Sequence, residues 1–215
     1  MRINLYVASA TGLSRRAADR AVIEGKVSLN GMAAHPGDQA EPQDIVTFDG
    51  QTLVLPELHQ TIMLNKPVGY VCSRDGQGSK TIYDLLPNDL HHLKPVGRLD
   101  KDSSGLLLLT NDGQLANQLT HPSFSKQKVY QVRLSQPLSD SDRRQIEKGI
   151  QLEDGLSHLS LKGQTKDWQV TMSEGRNRQI RRTFSALNYT VRRLHRTQFG
   201  DYHLANIAIG KFTKL

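Results

Sequence analysis

Four leucines in a row, at residues 106–109, follow the turn-rich stretch "GRLDKDSSG" at 97–105, and they constrain the chain more than any other feature. Successive strand residues point to opposite faces, so an unbroken apolar run predicts a strand buried deep in the core. With 215 residues, 37% hydrophobic and 23% charged, the chain can supply that core. The run is far too short to span a bilayer, and "MRINLYVASATGLSRR" has no continuous apolar segment of signal-peptide length. Cys72 is the only cysteine, which excludes an internal disulfide and a cysteine metal cluster. Together these features predict a cytoplasmic protein with no membrane association.

The formal charge of +7 points to a polyanionic partner, and its placement says more. Residues 61–215 carry 23 Lys and Arg against 14 Asp and Glu, whereas residues 1–60 carry 5 against 7. From 175 to 200 there are seven arginines and no carboxylate. With no acid at helical spacing to pair with them, the arginines suggest a phosphate-binding surface.

Residues 1–48 read as two short helices followed by strands. Ser14 is a helix N-cap, "RRAADRAVIE" fits the helix, and Gly25 ends it. Arg16 and Arg20 share a face, while Ala17, Ala21 and Ile23 are expected to pack elsewhere. "KVSLNGMAA" reads as a strand, an Asn-Gly turn and a second strand; "DIVTF" is another. Residues 49–60 are expected to be a last strand and a linker. Beyond them short apolar runs alternate with turns: "TIML", "YVCS", "LLLLT", "VYQVRL", "LSL", "WQVTM", "YTVRRL" and "IAI". Helical spacing breaks that rhythm in "DGQLANQLT", "DSDRRQIEKG" and "RNRQIRRTFSALN", the last with Ile180, Phe184 and Leu187 on one stripe. The pattern predicts an α+β fold with a mostly antiparallel sheet in residues 61–215, preceded by a small helix-and-strand domain.

Asp100 admits three readings. It is a turn aspartate in "DKDSSG", a member of a calcium loop, or a lone catalytic carboxylate. The calcium loop lacks its final Glu, having Asn111 there, and "HLKPVGRL" does not suit an entering helix. For the catalytic reading, Arg98 and Asp100 are two apart and would share a strand face beside the core. A carboxylate there needs a cation to keep it ionised. Arg178, Arg181 and Arg182, at three- and four-residue spacings, offer one. "GQGSKT" lacks the spacing of a phosphate loop, and His91 with His92 makes no plausible metal pair.

The ordered motifs "LNKPVGYV" (64–71), "GRLDKDSSGLLLLTNDG" (97–113), "KVY" (128–130) and "EGRNRQIRR" (174–182) resemble those of the RsuA-type ribosomal RNA pseudouridine synthases. "SRRAADRAVIEGKVSLNG" resembles the small RNA-binding module of a small-subunit ribosomal protein, with Ala17 where Glu is frequent. The resemblance implies an RNA-binding domain over 1–48, a linker over 49–60 and a catalytic domain over 61–215. It implies that Asp100 acts on the target nucleoside, that Tyr130 stacks on the uracil and that Arg181 pairs with the aspartate. Ile180 would line the pocket, Arg98 would help to hold the flipped nucleotide, and Arg178 and Arg182 would bind substrate. Arg15, Arg16 and Arg20 would bind RNA in the first domain, and "NKP" would shape the floor of the site.

The implied reaction is an isomerisation, with no atom gained or lost, so no cofactor or metal is expected. The implied partner is ribosomal RNA or a pre-ribosomal particle, met by a monomer. Two rival functions stay in view: an RNA-binding protein without activity, and a metal-dependent nuclease using Asp100, Asp102 and Asp112.

Overall fold

The computed structural model describes residues 1–55 and 59–215, and the chain divides into two compact units, Met1–His59 and Gln60–Leu215. In the first, α1 (Ile3–Thr11) and α2 (Arg15–Ile23) share one core with a four-stranded antiparallel sheet. Its strands are β1 (Val27–Leu29), β2 (Met32–Ala33), β3 (Val46–Phe48) and β4 (Gln51–Thr52), in the order β2-β1-β3-β4.

The local chemistry is as the sequence predicts. The Ser14 side chain accepts the Ala17 amide at the start of α2. Asn30 and Gly31 turn the β1–β2 hairpin at φ 52° and 82°, the left-handed pair that a two-residue turn demands. The buried face of α2 differs from expectation. Ala18, Ala21 and Val22, at i, i+3 and i+4, enter the core, while Ile23 is 71% exposed. Strand β4, with Leu53 and Leu55 beyond it, packs with this unit, so the unit runs past residue 48 into the expected linker. Residues 56–58 of that linker lie outside the described residues.

The second unit is α+β. It opens with β5 (Thr61–Lys66), β6 (Lys94–Val96), β7 (Ser104–Thr110) and α3 (Gly113–Thr120). There follow β8 (Lys128–Leu134), α4 (Asp140–Lys148), the hairpin of β9 (Ile150–Leu152) and β10 (Gly155–Ser157), and β11 (Ser160–Gln164). The last elements are β12 (Asp167–Met172), α5 (Gln179–Ser185), β13 (Val191–Phe199), β14 (Tyr202–His203) and β15 (Phe212–Lys214). A nine-stranded sheet runs β11-β12-β8-β13-β7-β5-β15, with β14 beside β13 and β6 beside β7.

Strand β7 carries the four leucines, and all four are fully buried. Leu107 and Leu109 join the larger core on one face; Leu106 and Leu108 join the smaller one on the other. Fully burying a leucine contributes roughly 1.5–3 kcal/mol, so this strand anchors both layers. Every strand pairing described is antiparallel except β13 with β7, which is parallel and only two residue pairs long: His195 with Ser104 and Arg196 with Gly105. A side chain at Gly105 would meet the Arg196 carbonyl oxygen at 2.2 Å, so only glycine permits this join.

Three expected strand assignments fail. Residues 70–73 and 207–209 form no strand: Val71 makes a single bridge to Thr81 that does not extend into a ladder, and of the second run only Ile207 packs against the core while Ile209 is exposed. Arg98, Leu99 and Asp100 are irregular: Leu99 is buried, and its backbone is tied to the Cys72 Sγ. Among the described residues no helix is long and apolar enough to cross a membrane.

Candidate active site

The turn that carries Asp100 hangs between β6 and the parallel join. The Ser103 amide closes it on the Asp100 carbonyl at 3.0 Å. Beneath it lies Lys66, at the end of β5 and fully buried. Its Nζ donates to the carbonyls of Pro67 (3.0 Å), Asp100 (3.1 Å) and Ser103 (2.7 Å). Burial pushes its pKa down, and the charges of Cys72, Asp100 and Asp102 oppose that. The floor expected of "NKP" is thus a buried cation gripping the backbone of the turn.

Above the turn stand the arginines around the start of α5. Arg178 precedes the helix in a left-handed conformation, φ 47°, unusual for a residue with a side chain. Its guanidinium is bidentate to Asp102, with both contacts at 3.0 Å, and its Nη1 lies 3.7 Å from Asp100 Oδ2. Arg181 donates to the carbonyls of Val191 and Asp102, each at 2.8 Å, and its Nε lies 3.3 Å from Asp102 Oδ2. The guanidinium nearest Asp100 is therefore Arg178's, whereas the family resemblance implied that pairing for Arg181. The difference arises because Asp102, two residues on, captures Arg181. Asp102 is held below the usual carboxylate range, first by its hydrogen bonds to Arg178, with Arg181 adding to the effect. Arg178 is correspondingly raised, while burial draws Arg181 down.

The loop before α5 is fixed from the other side. Gln179, almost fully buried, donates to Ser157 Oγ and Glu174 and accepts the Arg176 amide. Arg176 and Arg182 converge on Asp154, Arg182 through two contacts of 3.0 and 2.6 Å. Arg182 thus faces away from Asp100 and does not line the cavity, contrary to its expected role in binding substrate. Arg181 and Arg182 are adjacent on α5 and so point about 100° apart, the one over the turn and the other toward Asp154.

A cavity of about 520 Å³ opens beside the turn, lined by Asp100, Arg98, Tyr130, Arg178 and Ile180 among others. Tyr130, on β8, is 8% exposed and sits opposite Val170 and Arg196 in the sheet. Ile180, on α5, is likewise buried. The Asp100 side chain is 35% exposed, so in the free protein it is half-buried, not enclosed as the sequence suggested. Arg98 is exposed on the rim. In the first unit Arg15, Arg16 and Arg20 are exposed, and none has a carboxylate within 4 Å among the described residues. The nuclease arrangement is not assembled: Asp102 is clamped by arginines, and Asp112 caps α3 by accepting the amides of Gln114 and Leu115. Among the described residues no group of three or more His, Cys, Asp or Glu could hold a metal ion.

Sequence reasoning missed Lys66, Asp102 as the arginine acceptor, and Asp154. The available signal was a lysine inside an otherwise buried strand; the acid–arginine pairs span up to 79 positions and leave no local pattern.

Residues 60–186 match the family described as RNA pseudouridylate synthase. An uncharacterized RNA pseudouridine synthase of Aquifex aeolicus is 35% identical over 100% of this chain and 90% of its own length. The ribosomal large subunit pseudouridine synthase B of Bacillus subtilis is 35% identical over 100% of this chain and 91% of its own. The crystal structure of a pseudouridylate synthase superposes with a TM-score of 0.74 at 34% identity, covering 100% of this chain and 96% of that one.

Proposed function

Because the chain belongs to the RNA pseudouridylate synthase family, we propose that it converts a uridine of ribosomal RNA to pseudouridine, with Asp100 acting on the flipped-out nucleoside. The observation that most supports this is the meeting of Asp100, Tyr130 and Ile180, from a turn, a strand and a helix, on one cavity.

In the reaction the bond from uracil N1 to ribose C1′ breaks, the base turns over, and C5 bonds to C1′. The C5 proton leaves and N1 gains one, so atoms balance without a co-reactant. An ionised Asp100 serves either by attacking C1′ or by removing the neighbouring ribose proton. The Arg178 guanidinium lies 3.7 Å from that carboxylate, and Lys66 fixes the backbone that carries it. Extracting a stacked uridine costs a few kcal/mol. Stacking on Tyr130 offsets part of this, at roughly 1–3 kcal/mol per base. Arg181, bonded to the Asp102 and Val191 carbonyls, acts as a positioning residue for the turn. The first unit binds RNA through Arg15, Arg16 and Arg20. The same reading makes the protein a cytoplasmic monomer that needs no cofactor.

Incubation with large- and small-subunit rRNA transcripts in the presence of EDTA, followed by pseudouridine mapping, tests the assignment. Product formed despite the chelator supports it. RNA binding without product would leave an inactive binding protein.

A further inference from the structure

Two cations on the cavity wall have no part in the clamp described above. Arg196, on β13, is 2% exposed; its Nε donates to the Leu106 carbonyl at 2.8 Å, while its buried Nη2 has no hydrogen-bond partner. Lys128, on β8 two residues before Tyr130, makes only long contacts of 3.4 Å with the carbonyls of Lys126 and Glu174. Both charges rest on the same ring. The Arg196 guanidinium is 4.8 Å and the Lys128 amine 5.2 Å from the centroid of Phe199. Among the described residues no carboxylate lies within 4 Å of either, although Arg176, Arg178, Arg181 and Arg182 all have one. Burial and then the nearby Arg196 push the Lys128 pKa down, and the charge of Glu174, on the same cavity, only partly opposes them.

We propose that Lys128 and Arg196 form a phosphate subsite in the wall of the Asp100 cavity, with Lys128 touching the phosphate and Arg196 reinforcing it from behind. The phosphate is one attached to the target uridine, and the assignment rests on the function proposed above. A neutral uracil carbonyl would leave the buried Arg196 and half-buried Lys128 charges uncompensated. A phosphodiester supplies both a full negative charge and several acceptor oxygens. The placement fits a nucleotide: Arg196 faces Tyr130 across the sheet, and Lys128 is on the same side of β8 as that ring.

The test compares full-length wild type and Lys128→Gln for binding of uridine, its 3′-monophosphate and its 5′-monophosphate. Wild type is expected to bind one monophosphate about fivefold to tenfold more tightly than uridine. Lys128→Gln should bind all three alike, with its uridine affinity unchanged, and Lys128→Arg should restore the preference. Inorganic phosphate that competes with the monophosphate but not with uridine would show that the subsite also takes free phosphate. Absence of competition would show that it needs the attached nucleoside. A phosphate preference missing from wild type, or retained in Lys128→Gln, overturns the proposal. A protein that keeps the Lys128-dependent preference but forms no pseudouridine in rRNA would refute the enzymatic reading and leave the subsite standing.

Discussion

The two arginine-rich segments of this chain behave oppositely to what their sequence neighbours suggest. In α2, Asp19 stands four residues from Arg15 and three from Arg16, yet its carboxylate accepts the Asn4 amide and the arginines stay exposed. Residues 175–200 contain no acid, yet Arg176, Arg178, Arg181 and Arg182 are all paired, with Asp102, Asp154 or Glu174 brought in from elsewhere. Charge counted along the chain measures demand for counter-charge; only the fold says where it is met. The solvent-facing set suits a mobile polyanion, and the internally paired set suits holding a site in shape.

Substitutions at the site and in each segment can break or sharpen that contrast. The largest effect is expected at the carboxylate itself: Asp100→Asn should keep RNA affinity and reduce pseudouridine formation below about a thousandth of wild type. Higher residual turnover would rule out the role proposed for it. Next, Arg178→Gln or Arg181→Gln should lower the single-turnover rate about 10- to 100-fold, with a much smaller change in RNA affinity, because each shifts the turn under the reacting atoms. An affinity loss as large as the rate loss would place these residues with the RNA-gripping set instead.

The double variant Arg16→Ala, Arg20→Ala should do the reverse. Its apparent dissociation constant for RNA should rise, and the slope of log affinity against log salt should flatten by about 1 to 2. Thermal stability should stay within about 0.5 kcal/mol of wild type, because the altered positions are on the surface. An unchanged slope would mean that α2 does not touch phosphate.

The smallest effect concerns acid. The Asp102 pKa is depressed in the folded chain, so its clamp contributes fully above about pH 4 and is lost as pH falls through the folded value below that. Urea midpoints of wild type and Asp102→Asn should therefore differ slightly at pH 6 and converge toward pH 3. A gap that does not shrink between pH 6 and pH 3 would assign the stabilisation to something other than ionised Asp102.

What could be read in advance was local. The four-leucine run announced a strand with two covered faces, and Ser14, the Asn30–Gly31 pair and the stripe of Ile180 and Phe184 announced their helices and hairpin. These signals work because caps, turns and periodicity act within a few residues. Residues 70–73 and 207–209 misled because a short apolar run looks the same whether it joins a ladder, stops at one bridge or stays largely exposed. At the site, identities were legible through the motifs but partnerships were not. Arg178 and Asp102 are 76 positions apart, and nothing local distinguishes Asp102 from Asp100 as the acceptor.

The two-residue parallel join between β7 and β13 also bears on how the molecule assembles. It unites positions 91 apart in the chain, whereas hairpins such as β11–β12 close over a handful of residues. Distant closures are entropically slow, so local hairpins can zip up before this join forms, and the pairing of β15 with β5, Phe212 against Leu64, spans a longer stretch still. The Asp100 turn feeds directly into that late contact, and a folding intermediate lacking it would have most of its secondary structure and no working pocket.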